Sequence, residues 1–180
     1  MILENACDYK DYLGSVFDEM GFSGSFEVID SAIHFNIISE TETSKEQVLE
    51  KLQEIMLKQK KQALEKEINA ICKEKIVKDF RSSVLGSVHA YDLTLEDQAN
   101  LQALVIAGID SMFRCAEVSN GVIKNKTYKK HTKAQILRLS QEALKFKSDL
   151  ILFYGIEKER LNAIASLEAL EKFTIKEYLT

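Results

Sequence analysis

Residues 44–80 read SKEQVLEKLQEIMLKQKKQALEKEINAICKEKIVKDF, and this stretch decides the class of fold. Ser44 and Gln47 form a capping box, in which each side chain satisfies a free backbone N–H at the start of a helix. From there to Phe80 nothing breaks a helix, and the chain contains no proline anywhere. A helix of that extent runs about 55 Å at 1.5 Å per residue. Val48, Leu49, Leu52, Ile55 and Met56 form one apolar stripe, while Leu64, Ile68, Ile71 and Cys72 form a second. The polar run KQKKQ at 58–62 separates them. A long helix with a narrow, interrupted stripe needs partner helices, so the expectation is a short coiled coil with a polar break. Val48, Leu49, Leu52, Ile55, Met56, Leu64, Ile68 and Ile71 are then the contacts of a homo-oligomer, a dimer or trimer. A continuous heptad fails at Gln59 and Lys66, and the competing reading is a single helix crossing its own domain.

Upstream, residues 7–20 (CDYKDYLGSVFDEM) space Tyr9, Tyr12, Leu13, Val16, Phe17 and Met20 three and four apart, which predicts an amphipathic helix. Residues 25–39 (SFEVIDSAIHFNIIS) alternate with period two around Asp30-Ser31, which predicts a β-hairpin with His34 at a sheet edge. Downstream, residues 84–91 (VLGSVHAY) read as a strand or irregular β segment. Thr94 and Asp97 cap a helix from Leu95 to Ile109 that ends near Gly108. Asn120-Gly121 is the strongest hairpin signal, joining Met112–Val118 to Val122–Tyr128. Thr132 and Gln135 cap a further helix, with Ile136, Leu139, Ala143, Phe146, Leu150 and Phe153 on its inner face, broken at Gly155. Residues 157–172 supply a last helix. The expected fold is therefore α+β and predominantly helical. Residues 1–43 form a helix and β-hairpin unit, 44–80 the long helix, and 81–180 a compact α+β domain that folds without the rest.

Composition excludes several classes. At 180 residues, 46% hydrophobic and 29% charged, the chain has the make-up of a folded globular protein and needs no metal or disulfide to build a core. No apolar run approaches the roughly 18 residues of a membrane span. The start, MILENACDYKDYLG, turns acidic at residue 4, so no signal peptide is expected. Cys7, Cys72 and Cys115, odd in number and far apart, suggest a reducing compartment. Charge is uneven: residues 1–50 carry net −9 and residues 114–147 net +7. The lysines at 124, 126, 129, 130 and 133 lack an RNA-reading aromatic motif, and the pI near 5.5 is far below the roughly 9 of a dedicated nucleic-acid domain.

Catalytic apparatus is not evident. There is no phosphate loop, no Cys-x-x-Cys, no His-Glu-x-x-His and no calcium loop, so neither a cofactor nor a metal is expected. His89 lies in His89-x-Tyr91-Asp92 with Glu96 and Asp97 nearby, and a carboxylate-oriented histidine can serve as a general base. The bland reading, a buried histidine paired to a turn, outweighs it. Gln98 and Asn100 are expected to hold the loop of residues 84–93 by side-chain to backbone bonds.

The motif Leu85-Gly86, His89, Tyr91-Asp92 and Asp97-Gln98-x-Asn100-Leu101, followed by His131-Thr132 and Gln135, resembles a phage- and prophage-encoded domain of unknown function found in tail and tail-fibre-associated proteins. The likeness covers about residues 66–172. Where that family typically has a tryptophan three residues before the histidine, this chain has Tyr128. The resemblance implies a virion component or assembly protein, made in the bacterial host cytoplasm and destined for the virion tail, with other phage tail proteins as partners. It implies no enzymatic activity, and gives the matched residues structural roles. Two alternatives remain at this point: a small phage-encoded protein that inhibits a host factor through the acidic N-terminal unit, and a hydrolase of cell-surface polymer built on Asp92, Glu96 and Asp97.

Overall fold

The computed structural model describes residues 2–4, 9–38, 44–78 and 80–178, and shows the expected α+β fold. The chain forms two units, residues 1–65 with 160–174, and residues 66–159 with 175–180. The long helix is thus not a segment of its own, and the division at 43 and 80 read from the sequence is replaced by this one.

In the first unit, β1 (Ile2–Glu4), β2 (Ser23–Ile29) and β3 (Ala32–Ile38) form an antiparallel sheet in the order β1-β3-β2. β2 and β3 are the predicted hairpin, turning at Asp30 (φ 49°) and Ser31 (φ 64°). His34 stands in the central strand and not at an edge, because β1, which no period announced, adds to the far side of β3. The described part of the predicted N-terminal helix, from Tyr9 to Met20, is helical throughout. A single 3-10 turn (Lys10–Tyr12) leads into α1 (Leu13–Met20), and Cys7 and Asp8 lie outside the described residues. Gly21 ends α1 at φ 66°, a left-handed position that suits a residue without Cβ, and its N–H closes on the last turn.

The helix α2 (Lys45–Ile76) starts at the predicted box, with Ser44 N donating to Gln47 Oε1 (2.9 Å) and Gln47 N to Ser44 Oγ (3.2 Å). Its N-terminal stripe packs within the unit. Val48, Leu52 and Ile55 are buried with Leu13 and Val16 of α1 and with Ile33 and Phe35 of β3, and Leu49 packs against the same cluster. Phe17 sits among the rings of Phe22, Phe26 and Phe35, 5.8–6.0 Å away. Met56 and Ile68 are buried as well, and Leu64 and Ile71 half-buried. Of the eight residues expected to form a homo-oligomer contact, the chain's own packing thus buries Val48, Leu52, Ile55, Met56 and Ile68 and leaves Leu49, Leu64 and Ile71 half-buried, so part of the apolar burial that was to drive association is realised in folding.

The second unit contains the end of α2, then β4 (Phe80–Ser82), β5 (His89–Tyr91), α3 (Leu95–Ala107), β6 (Ser111–Ser119), β7 (Val122–Ile123), β8 (Thr127–His131) and most of α4 (Lys133–Asn162). All strand pairs are antiparallel: β4 with β5, β5 with β6, and β6 with both β7 and β8. α2 ends at Ile76, short of the predicted Phe80. Phe80 instead opens β4, where its ring lies 5.8 Å from Tyr91 and 5.9 Å from Phe146. Strand pairing and aromatic burial override an uninterrupted helical sequence. Gly155 does not break α4: one helical glycine costs only about 1 kcal/mol against alanine, and the helix is held by buried Leu150 and Tyr154 before it and buried Glu157 after it. The expected last helix shrinks to α5 (Leu167–Glu171), capped by Ser166. Only residues 89–91 of the 84–91 segment are strand, because Gly86 at φ 91° turns the chain.

The segment 66–76 belongs to this unit. Its Asn69 accepts a hydrogen bond from Lys158 (3.2 Å), and its Ile68 is fully buried. A fragment of residues 81–180 lacks that cover. Residues 66–180 should unfold cooperatively in urea, and deleting 66–79 should lower the unfolding free energy by at least about 2 kcal/mol, the burial of one large aliphatic side chain. Equal stability of the two fragments would show that the helix end contributes nothing.

Candidate functional site

Antiparallel pairing of β5, β6 and β8 gathers the chemically versatile side chains of the second unit. His89 and Tyr91 come from β5, Cys115 from β6, and Lys129 and His131 from β8. His89, Tyr91, Cys115 and His131 are all buried. The hydrogen bonds assign the protons. A carbonyl can only accept, so the 2.9 Å contact of His131 Nδ1 with the Lys129 carbonyl places the imidazole hydrogen on Nδ1. His131 Nε2 then accepts from the Tyr91 hydroxyl at 2.9 Å. The same logic applies to His89: Nδ1 donates to the Ser87 carbonyl (2.8 Å), leaving Nε2 to accept from the Lys129 ammonium (3.1 Å).

Burial decides the charge states. It holds His131 below the ordinary histidine value, against the opposing pull of its bond to the Lys129 carbonyl. It pushes the Tyr91 phenol far above its usual range, and pushes the Cys115 thiol up. The cluster at neutral pH is therefore a thiol, a phenol and a neutral imidazole in a closed core. A nucleophilic cysteine needs the thiolate and access, and Cys115 has neither.

The three candidate carboxylates do not converge. Asp92 pairs with Lys126, Asp97 closes the capping box of α3 on Thr94 (2.6 Å to Oγ1), and Glu96 is exposed. The paired-carboxylate cleft expected of a polymer hydrolase is not formed by these residues. Gln98 does hold its loop, donating to the Leu93 carbonyl (2.8 Å) and accepting from Lys147 (3.1 Å). Asn100 does not: it is exposed on α3, and the work falls to Gln135, which donates to the Val84 carbonyl (3.1 Å) while capping α4. Ser82 adds to it by bonding Glu142 (2.5 Å). Leu85 and Leu101 pack in the core, and Tyr128 projects from β8 into solvent. His131 was singled out only as a motif residue. Nothing local announces its bond to Tyr91, forty positions away in sequence.

The basic segment is largely neutralised in place. Lys124 pairs with Glu117 (3.2 Å), Lys126 with Asp92, and Lys130 with Asp110 (3.7 Å). A cleft of about 320 Å³ opens between α3 and α4, lined by Leu93, Gln98, Leu101, Leu144 and Lys147 among others. Two of its polar groups, Gln98 and Lys147, bond each other. Among the described residues no group of three or more His, Cys, Asp or Glu is placed to hold a metal ion, and no helix is long and apolar enough to cross a membrane.

No protein-family model matches this chain, and neither does any curated protein or solved structure.

The buried network carries a pH signature. Because the folded-state value of His131 is depressed, the unfolded chain binds a proton that the folded one refuses. The stability His131 contributes is present above about pH 6.5 and is lost as pH falls below it. The wild type should lose up to about 1.4 kcal/mol per pH unit from this group, measured by urea unfolding between pH 7 and 5. His131→Gln should remove that component of the slope. Tyr91→Phe should cost about 1–3 kcal/mol at pH 7, because Nε2 of His131 is left buried without a donor.

Proposed function

We propose that this chain is a structural or adaptor protein that works by protein–protein contact, and that its setting is the tail of a phage or prophage-encoded particle. The contact role rests on β2. This strand is the edge of its sheet, and all seven of its residues are exposed, including Phe26, Val28 and Ile29. Edge strands present unpaired N–H and C=O groups, and proteins normally guard them with lysine, proline or a bulge. β2 reads SGSFEVI and pairs with β3 without interruption; it has neither lysine nor proline, and Glu27 is its one charged residue. It suits strand addition, in which main-chain hydrogen bonds supply affinity and alternate side chains supply specificity.

The tail setting rests on the likeness of residues 66–172. The reactive side chains are closed off in the core, which favours a contact role over a chemical one. Inhibition of a host factor would use the same acidic N-terminal unit and differs in where the protein ends up.

Fractionation of purified particles tests the setting: the polypeptide should travel with tails. Recovery only from the soluble lysate, bound to a host protein, would favour the inhibitor. Val28→Lys should reduce incorporation at least about tenfold with the thermal midpoint unchanged, since burying an unpaired lysine costs more than about 1.4 kcal/mol. Undiminished incorporation would remove β2 from the contact.

A further inference from the structure

The cleft between α3 and α4 combines an apolar floor with one cation that the fold leaves without a counter-ion. Leu93, Leu101 and Ala143 form the floor, at 3%, 4% and 8% exposure. Lys147, half-buried on the α4 wall, donates to Gln98 Oε1 of α3 at 3.1 Å. The other end of the Gln98 amide is fixed as well, by its bond to the Leu93 carbonyl (2.8 Å). Among the described residues no carboxylate lies within 4 Å of the Lys147 ammonium. Other cations of α4 are treated differently: Arg138 pairs with Glu142 (2.8 Å) and Lys145 with Asp149 (2.7 Å), each at four-residue spacing. Three and four residues to either side of Lys147 stand Leu144, Ala143, Leu150 and Ile151, so its own helix supplies no acid. Asp97, beside Gln98 in sequence, commits its carboxylate to Thr94 in the capping box. An ammonium carries three donors, and Gln98 takes one of them.

We propose that this cleft binds a small amphipathic carboxylate, with its apolar body on the floor and its carboxylate on Lys147. Charge selects the anion: a carboxylate supplies the counter-ion that neither α3 nor α4 provides, and a charge-assisted bond is roughly twice as strong as a neutral one. The floor selects the apolar body, which removes water from Leu93, Leu101 and Ala143. Volume sets the size. At about 320 Å³ the cleft stands at the lower end of the roughly 300–1,000 Å³ of small-molecule sites, so it takes one short-chain ligand. Gln98 holds the ammonium at the cleft before a ligand arrives, which lessens the side-chain ordering that binding would otherwise require. Gln102 and Ser140 complete the polar lining. The cleft lies wholly within the second unit and apart from β2, and the inference does not depend on the tail setting.

Titrating the full-length protein with hexanoate, followed by amide chemical shifts, should give saturable binding with a Kd of about 1 mM. The shifts should centre on Leu93, Gln98, Leu101, Ala143 and Lys147. Hexan-1-ol has the body without the charge, and acetate the charge without the body; each should bind at least about fivefold more weakly. Lys147→Met should weaken hexanoate by a similar factor and leave hexan-1-ol unchanged, while Lys147→Arg should retain hexanoate. Ser140→Leu fills the cleft from the α4 side and should abolish binding of both. The ligand-free amide spectrum of each variant reports whether it is folded, and Lys147→Met decides the matter should Ser140→Leu not fold. Absence of saturable binding by hexanoate overturns the proposal, as does equal affinity for hexanoate and hexan-1-ol. So does hexanoate binding indifferent to Lys147→Met, or binding that survives in a folded Ser140→Leu protein. Shifts centred away from the cleft overturn it too. A wild type that ignores hexanoate, but whose cleft amides become protected from hydrogen exchange on adding another protein, would assign the cleft to that protein and also overturns it.

Discussion

The second unit is organised around the hydrogen bond from Tyr91 to His131, because it is what allows two polar rings to sit at the centre of an aromatic core. Tyr91 packs against Phe80, Phe113 and His131, with ring centroids 5.7–6.3 Å away. Without a partner, the phenol and the imidazole would each be a buried unsatisfied group costing a few kcal/mol. With it, they bind β5 to β8 across β6, two strands that do not themselves pair. Burial keeps both rings neutral, so the bond has a donor and an acceptor of fixed identity. Chemistry at these residues is closed off for the same reason that the fold is held there.

Around this bond the loops are tied down by side chains that reach backbone carbonyls. Gln98 holds Leu93, and Gln135 holds Val84 while capping its own helix. Such contacts give histidine, glutamine and aspartate structural work to do in the motif. Each satisfies a backbone group that a turn would otherwise leave exposed or orphaned.

In the first unit the controlling term is hydrophobic. One face of α2 closes over α1 and β3, and the energy available from that stripe goes into the unit itself. Apolar side chains remain exposed elsewhere, among them Phe26, Val28 and Ile29 of β2, Leu95 and Ile106 of α3, and Leu137, Leu144 and Ile151 of α4.

Local physics was legible in the sequence. The capping boxes at Ser44, Thr94 and Thr132, and the turns at Asp30-Ser31 and Asn120-Gly121, all stand where side chain and backbone a few residues apart dictate them. The amphipathic faces of α1, α2 and α4 were equally plain, since helical period needs no knowledge of the partner. The partner itself was a different matter. That α1 and β3 cover α2, that β4 takes Phe80 from the helix before it, that α4 continues through Gly155, and that His131 meets Tyr91 were decided only by tertiary structure. Each depends on which distant surface is buried against which, and burial free energy is a property of that pairing rather than of any stretch of chain.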